Sequence, residues 1–311
     1  MALASVAAVV LLWLGRYHTF TAEEIDFLTR RPVLTDVLRP HNEHLSAVPI
    51  LVYEVLVRLF GTGPYLPFLT VLTVLHVVAA AGLAAIVKGW SGVAAATIFL
   101  FLGSGYENLF WALQIGFVGS VAAGLWAMRT DRGWLAAALV GVGLASSGIG
   151  LVFILPVAVL QRRRAIWLAL PIGAYLAWYA VYGVPPEHGG TVSQAAEWFL
   201  LGVGWAFGSL FGIGLSLGLG CALAALVLAR RGDRTTSAAA IGLIALYALI
   251  ALSRSGLEQV SFVAAPRYVY VAVPFILIGL NGIISDRRVL AALYGLAFVT
   301  NVLALPAGVA A

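Results

Sequence analysis

Residues 134–160 read WLAAALVGVGLASSGIGLVFILPVAVL. A helix needs about 20 apolar residues to cross a hydrocarbon core of about 30 Å, so this run is too long for one untilted span and short for two. Ala145-Ser146-Ser147-Gly148 near its middle supplies a tight turn. The flanks decide between the readings. Arg129 and Arg132 precede the run and Arg162, Arg163 and Arg164 follow it. One span would put these groups on opposite sides of a membrane. Two short helices put them on one side, together with Lys88, with Arg230, Arg231 and Arg234, and with Arg287 and Arg288. Basic residues in short loops gather on the cytoplasmic side, which selects the two-helix reading. That side then holds 11 of the 18 Lys and Arg, but of the 13 acids only Asp131, Asp233 and Asp286.

Working outward, the remaining apolar runs are 2–15, 65–87, 91–105, 109–128, 165–183, 210–229, 236–252, 268–284 and 289–306. The expected fold is therefore all-α, a polytopic membrane protein of about eleven spans forming a single domain over residues 1–311. Only 10 % of the residues are charged, far below the roughly 25 % of a soluble domain, so the chain belongs in a bilayer. The net charge of +5 does not indicate nucleic acid, because the arginines sit in separate short loops beside apolar runs. Cys221 stands alone, which excludes an internal disulfide, and its apolar neighbours suggest a small packing residue. The first run has no basic segment before it and no small-residue cleavage site, so it reads as a retained helix with a cytoplasmic N-terminus. No soluble C-terminal domain is expected. Aromatic residues at span ends, Trp13, Tyr17, Trp90 and Tyr106, suit interface anchors.

The gap at 16–64 is then external, as are 184–198 and 253–267. Within the first, residues 23–30 read as a short helix and 45–60 as an amphipathic one, with Glu54 and Arg58 four apart. Two such helices fit an interfacial platform. Gly204, Gly208 and Gly212 recur every four residues, a pattern for close helix packing. Gly218-Leu219-Gly220 follows no strand and is no nucleotide loop.

Four groups on the external side bear on chemistry. Glu23, Glu24 and Asp26 place three carboxylates in four residues. They can supply a general base, hold a divalent cation through oxygen, or form the solvated acidic start of a helix. His41 and His44 flank Asn42-Glu43 and suit a metal, or hydrogen bonds to a sugar or to the platform backbone. Glu107 and Asn108, with Trp111 and Gln114 beyond them, lie at the mouth between two spans, as a polar site or a polar helix end. Arg254 and Arg267, with Glu258 between them and Tyr268 after, are external cations that need a partner. A lipid-linked phosphate suits them, and external acids or lipid headgroups are the alternative.

In this order and topology the groups resemble the GT-C superfamily of membrane glycosyltransferases, closest to the bacterial protein O-mannosyltransferase and aminoarabinose-transferase-like group. Glu23-Glu24-Ile25-Asp26-Phe27 stands where that group has an acidic motif in its first external loop. His44 to Gly61, with Pro49, Tyr53 and the ending Leu59-Phe60-Gly61, matches its surface helix. Arg267-Tyr268 matches its late motif. The resemblance covers nearly the whole chain. It implies a polyprenyl-phosphate sugar donor, inverting transfer, an active site on the external face of the plasma (inner) membrane, and a glycan, lipid or protein acceptor. It further implies Glu23 as base with Glu24 beside it, the usual Asp being Glu here, so that either carboxylate can hold the position. Arg254, Arg267 and Tyr268 would bind the donor phosphate, and Asp26, His41, His44, Glu107 and Asn108 the substrates. No cofactor is required, although a divalent cation is compatible. Two other functions fit the same layout: a transporter or flippase of a lipid-linked sugar, and a membrane-assembly subunit without activity.

Overall fold

The computed structural model describes residues 2–29, 34–186, 188–257 and 260–310; residue 30, the end of the helix expected over 23–30, and Glu258 lie outside the described residues. Helix accounts for 84 % of the chain, with no strand among the described residues. The first part comprises α1 (Ala2–Leu14), α2 (Ala22–Thr29), α3 (Leu34–Leu38), α4 (Ala47–Phe60), α5 (Leu66–Val87) and α6 (Gly89–Leu100). Next come α7 (Glu107–Phe110), α8 (Ile115–Arg129), α9 (Gly133–Ser146), α10 (Ile154–Gln161) and α11 (Ala169–Tyr182). The last part is α12 (Val192–Phe211), α13 (Leu215–Ala229), α14 (Arg234–Arg254), α15 (Pro266–Ile283) and α16 (Arg287–Ala310). One contiguous core runs through the helices from Ala7 to Leu305.

Among the described residues, five helical stretches are long and apolar enough to cross a membrane: Leu66–Val87, Gly148–Tyr182, Arg234–Arg254, Pro266–Ile283 and Arg287–Val309. Two bent pairs, Ala2–Tyr17 with Ala22–Thr29 and Val192–Phe211 with Leu215–Ala229, raise this to seven if each counts as one span. Both figures fall short of the eleven expected from composition. The shortfall comes from short helices: α6 has 12 residues, α8 has 15 and α9 has 14.

The deciding stretch folds as a broken hairpin. Helix α9 ends at Ser146, the chain is extended at Ser147, and a 3₁₀ segment (Gly148–Phe153) leads into α10. The two arms pack backbone to backbone: a Cβ on Gly150 would lie 2.5 Å from the Gly143 carbonyl carbon. Their far ends meet again, where Gln161 Nε2 donates to the Thr130 carbonyl at 2.6 Å and the Arg164 guanidinium donates to that of Asp131. Arg129, Arg132 and Arg164 therefore share one end of the bundle. The run 148–182 is itself interrupted at Arg162, whose φ of 52° lies in the left-handed region.

The region 192–229 departs from expectation. The sequence places residues up to 198 in a loop and 210–229 in one span. Instead α12 begins at Val192, because Thr191 and Gln194 form a capping box. It ends at Gly212, φ 67°, where the chain turns by 103° into α13. Gly204 and Gly208 do serve close packing, since a Cβ on Gly218 would lie 2.4 Å from the Gly204 oxygen and 2.8 Å from the Gly208 nitrogen. Gly212 is the helix cap instead. Cys221, expected inside, is exposed on α13.

Helix α4 buries Ile50, Tyr53 and Leu56, while Leu51, Val55 and Leu59 form an exposed apolar row at four-residue spacing. Helix α11 has a single buried side chain, Trp178, whose indole nitrogen donates to the Leu38 carbonyl at 2.8 Å. That bond ties the end of α11 to the segment before His41.

Candidate functional site

The adjacent acids Glu23 and Glu24 have opposite fates, because successive helical residues point about 100° apart. Glu24 is completely buried. Its Oε1 accepts from the hydroxyls of Tyr53 (2.6 Å) and Tyr65 (3.2 Å), and its Oε2 from the Thr21 backbone N–H (2.8 Å) and hydroxyl (3.2 Å). Tyr65 in turn accepts from the Ala112 N–H at 2.7 Å. Burial and the neighbouring carboxylate push both tyrosine hydroxyls above their ordinary range, so they remain donors. Glu24 thus joins α2 to α4, to the start of α5 and to the segment before α8. It lies outside the lining of the cavity that Glu23 enters.

Glu23 points the other way, into a cavity of about 330 Å³. His41, His44, Gln114, Arg254, Arg267 and Tyr268 share that cavity. With Glu23 they arrive from five separate parts of the chain. His41 and His44 exchange backbone hydrogen bonds of 2.9 and 3.0 Å. Asn42 and Glu43 between them have φ of 46° and 70°, the two positive values of a type I′ turn. Left-handed backbone costs a non-glycine residue about 1–2 kcal/mol. The turn aims the Glu43 carboxylate at Arg254, which donates to it at 3.3 Å. His41 Nδ1 lies 2.7 Å from Asp26 Oδ2, and Arg39 donates to Asp26 Oδ1 at 3.3 Å. Asp26, Glu23 and His41 also border a neighbouring recess of about 330 Å³.

Arg254 is fixed from a second side. The Ser255 hydroxyl accepts from the Gly190 N–H at 3.2 Å, and the Gly256 N–H donates to the His188 carbonyl at 2.7 Å. All three segments assigned to external loops therefore meet at this cavity. Arg267 donates to Glu107 at 3.2 Å and stands 5.5 Å from the Tyr268 ring centre. Burial pushes the Glu107 carboxyl above the ordinary carboxylate range, against the pull of Arg267, and the nearby Glu23 pushes the same way as burial. Glu107 reaches the site through Arg267 without lining the cavity. Asn108 is completely buried outside the lining, and neither side-chain atom has a partner among the described residues.

Several lining residues were not singled out from sequence, among them Ser146, Ser147, His188 and Phe262. Ser146 and Ser147 come from the hairpin turn, which sequence identified only as a turn. Gln114 was noted merely as a neighbour of Glu107. It is buried at the cavity wall, and its Oε1 has no donor among the described residues. A hydroxyl in the cavity could supply one. No group of three or more His, Cys, Asp and Glu suited to a metal ion occurs among the described residues.

His44 forms the wall between this cavity and an apolar one of about 340 Å³, lined by Leu144, Leu151, Ile154, Ile172 and Leu176. Burial, reinforced by Arg254, lowers the His44 pKa from 6.5 to about 4. The folded protein then binds fewer protons than the unfolded chain between those values, and stability must fall as pH drops through that window. The thermal midpoint of the wild type should therefore decline from pH 7 to pH 4 more steeply than that of His44→Gln. The ring is seated against Gly148, where a Cβ would lie 2.5 Å from Nδ1. Gly148→Ala should displace His44 toward solvent and flatten the same pH dependence; an unchanged slope in both variants would exclude His44 as its source.

The carboxylate cavity and the basic loops lie at opposite ends of the bundle. Helix α14 has Thr235 at the basic end and Arg254 at the cavity, and its 21 residues span about 31 Å. Compared with protein-family models, curated proteins and solved structures, the chain has no significant match.

Proposed function

We propose that the protein is an inverting glycosyltransferase that moves a sugar from a polyprenyl-phosphate donor to a hydroxyl of an envelope glycan, lipid or protein. The observation that carries this reading is the meeting of three chemistries at one place. Glu23 offers a carboxylate, Arg254 and Arg267 offer guanidinium groups, and an apolar cavity opens behind His44. In this reading Glu23 takes the proton of the acceptor hydroxyl, and the resulting oxygen bonds to the anomeric carbon. The bond from that carbon to the phosphate oxygen breaks, and polyprenyl phosphate leaves as an anion held by Arg254 and Arg267. Phosphate is already a good leaving group, so a second acid to protonate it is unnecessary, unlike the paired acids of glycosidases. Gln114, Asp26 and His41 would hold sugar or acceptor hydroxyls. No step is routed through a metal ion.

The same reading places the protein in the plasma (inner) membrane, with its N-terminus cytoplasmic and the cavity external. What supports that orientation is the gathering of basic loops at the end away from the cavity. About eleven crossings would follow if the short α6, α8, α9 and α10 each complete a passage, and the returns at Ser146–Ser147 and at Thr130–Gln161 support such alternation.

A transporter of a lipid-linked sugar is the second reading, favoured by the two helix pairs bent by 100° and 103°. Against it, ionisable groups concentrate at the two ends of the bundle, not at its middle. Purified protein in lipid, offered a panel of polyprenyl-phosphate sugars, separates the two. Release of free polyprenyl phosphate coupled to loss of the donor is expected. Tight binding of one donor without release in any acceptor mixture would overturn the transferase in favour of transport.

A further inference from the structure

At the basic end a second cavity, of about 660 Å³, is lined by Lys88, Arg129, Arg162, Arg163 and Arg164, with Asp131 as its one carboxylate. Its volume falls within the range of ligand pockets. The five cations come from the ends of α5, α8 and α10, and the hydrogen bonds from Gln161 to Thr130 and from Arg164 to Asp131 hold the ends of α8 and α10 together. Among the described residues none of the five forms an ion pair with a carboxylate. Lys88 and Arg162 both have left-handed backbone, φ 64° and 52°.

Membrane orientation requires only that enough Lys and Arg lie at one end; it does not require them to converge. Arg230, Arg231, Arg287 and Arg288 meet that requirement outside the cavity. Five cations against the single carboxylate of Asp131 leave the cavity with a net positive charge that attracts an anion. Ile86, Met128 and Leu160 give the cavity an apolar side, and Ile166, Trp167 and Leu170 lie exposed just beyond its arginines. An aromatic and two aliphatic side chains there suit the boundary between headgroups and acyl chains.

We propose that this cavity binds the phosphate headgroup of an anionic glycerophospholipid, with the lipid's chains lying along the start of α11. The site is independent of the sugar-transfer reading, being at the other end of the molecule. Basic pockets between membrane helices have the chemistry for such headgroups.

The test uses the whole protein in detergent, with thermal midpoints measured after adding phosphatidylglycerol, cardiolipin or phosphatidylcholine. The anionic lipids should raise the wild-type midpoint by about 5 °C and phosphatidylcholine should not. The shift should vanish in Arg162→Gln/Arg163→Gln and persist in Arg230→Gln/Arg231→Gln, which removes equal charge at the same end outside the cavity. Lys88→Gln, a single change of an exposed side chain, should reduce the shift and serves if the double variant does not fold. Equal loss in the cavity and control variants would overturn the site in favour of general surface charge. An equal response of the wild type to phosphatidylcholine would overturn it too. Inorganic phosphate or pyrophosphate reproducing the shift where anionic lipid fails would assign the cavity to a soluble anion, overturning the lipid.

Discussion

Glu24→Ala is expected to destabilise the protein by about 3–5 kcal/mol, the loss typical when one side of a buried charged network is removed. Four donors converge on this carboxylate: the hydroxyls of Tyr53, Tyr65 and Thr21 and the Thr21 N–H. Tyr53 is completely buried and Tyr65 nearly so, so water cannot readily replace the lost acceptor. The damage should spread, because Tyr65 also receives the Ala112 N–H and so positions the entry to α8. A fall of roughly 10 °C in the thermal midpoint is the expected reading. Glu24→Ala and Tyr53→Phe should be strongly non-additive, since removing the carboxylate already strands the hydroxyl that the second change deletes. A midpoint within about 2 °C of wild type would show that these donors find other partners and that Glu24 is no structural centre.

The different roles of Glu23 and Glu24 mark where sequence reading stops. Helix class, the broken hairpin at residues 134–160, the basic end and the placing of three loops on one side were legible. Each depends on composition or charge along short segments: apolar runs, an Ala-Ser-Ser-Gly interruption, arginines in gaps. Which carboxylate faces the cavity depends on Tyr53 and Tyr65, partners 29 and 41 residues away, and periodicity in an eight-residue helix cannot rank them. The start of α12 was legible in principle, since Thr191-Val-Ser-Gln194 is a capping-box pattern. It was passed over because hydropathy there is diluted by Gln194 and Glu197. The turn at Asn42-Glu43 was not legible, because a glutamate at positive φ contradicts local propensity. There the Arg254 contact, from 211 residues away, compensates for local strain. Apolar runs outnumber the helices long enough to span for a related reason. Hydropathy marks apolar runs, whereas helix length depends on caps and breaks such as those at Leu100, Ser146 and Gly212.

On the proposed transferase reading, Glu23→Gln should produce the reverse of the Glu24 phenotype: normal stability and a loss of sugar transfer of about 10²–10⁴-fold, the usual contribution of a positioned general base. Glu23 is exposed to the cavity and, among the described residues, no buried donor depends on it, so an amide of the same shape leaves the packing alone. What disappears is the ability to take a proton. Donor affinity should change little, because the phosphate is assigned to Arg254 and Arg267. Arg267→Ala should instead weaken donor binding, and it also leaves Glu107 half-buried without its cation. Transfer is followed by release of free polyprenyl phosphate, and binding by protection of the donor in the same preparation. A Glu23→Gln protein with wild-type turnover would remove the carboxylate from the chemistry. The two arginines and the apolar cavity behind His44 would then describe a lipid-phosphate binding site that carries its ligand without breaking a bond.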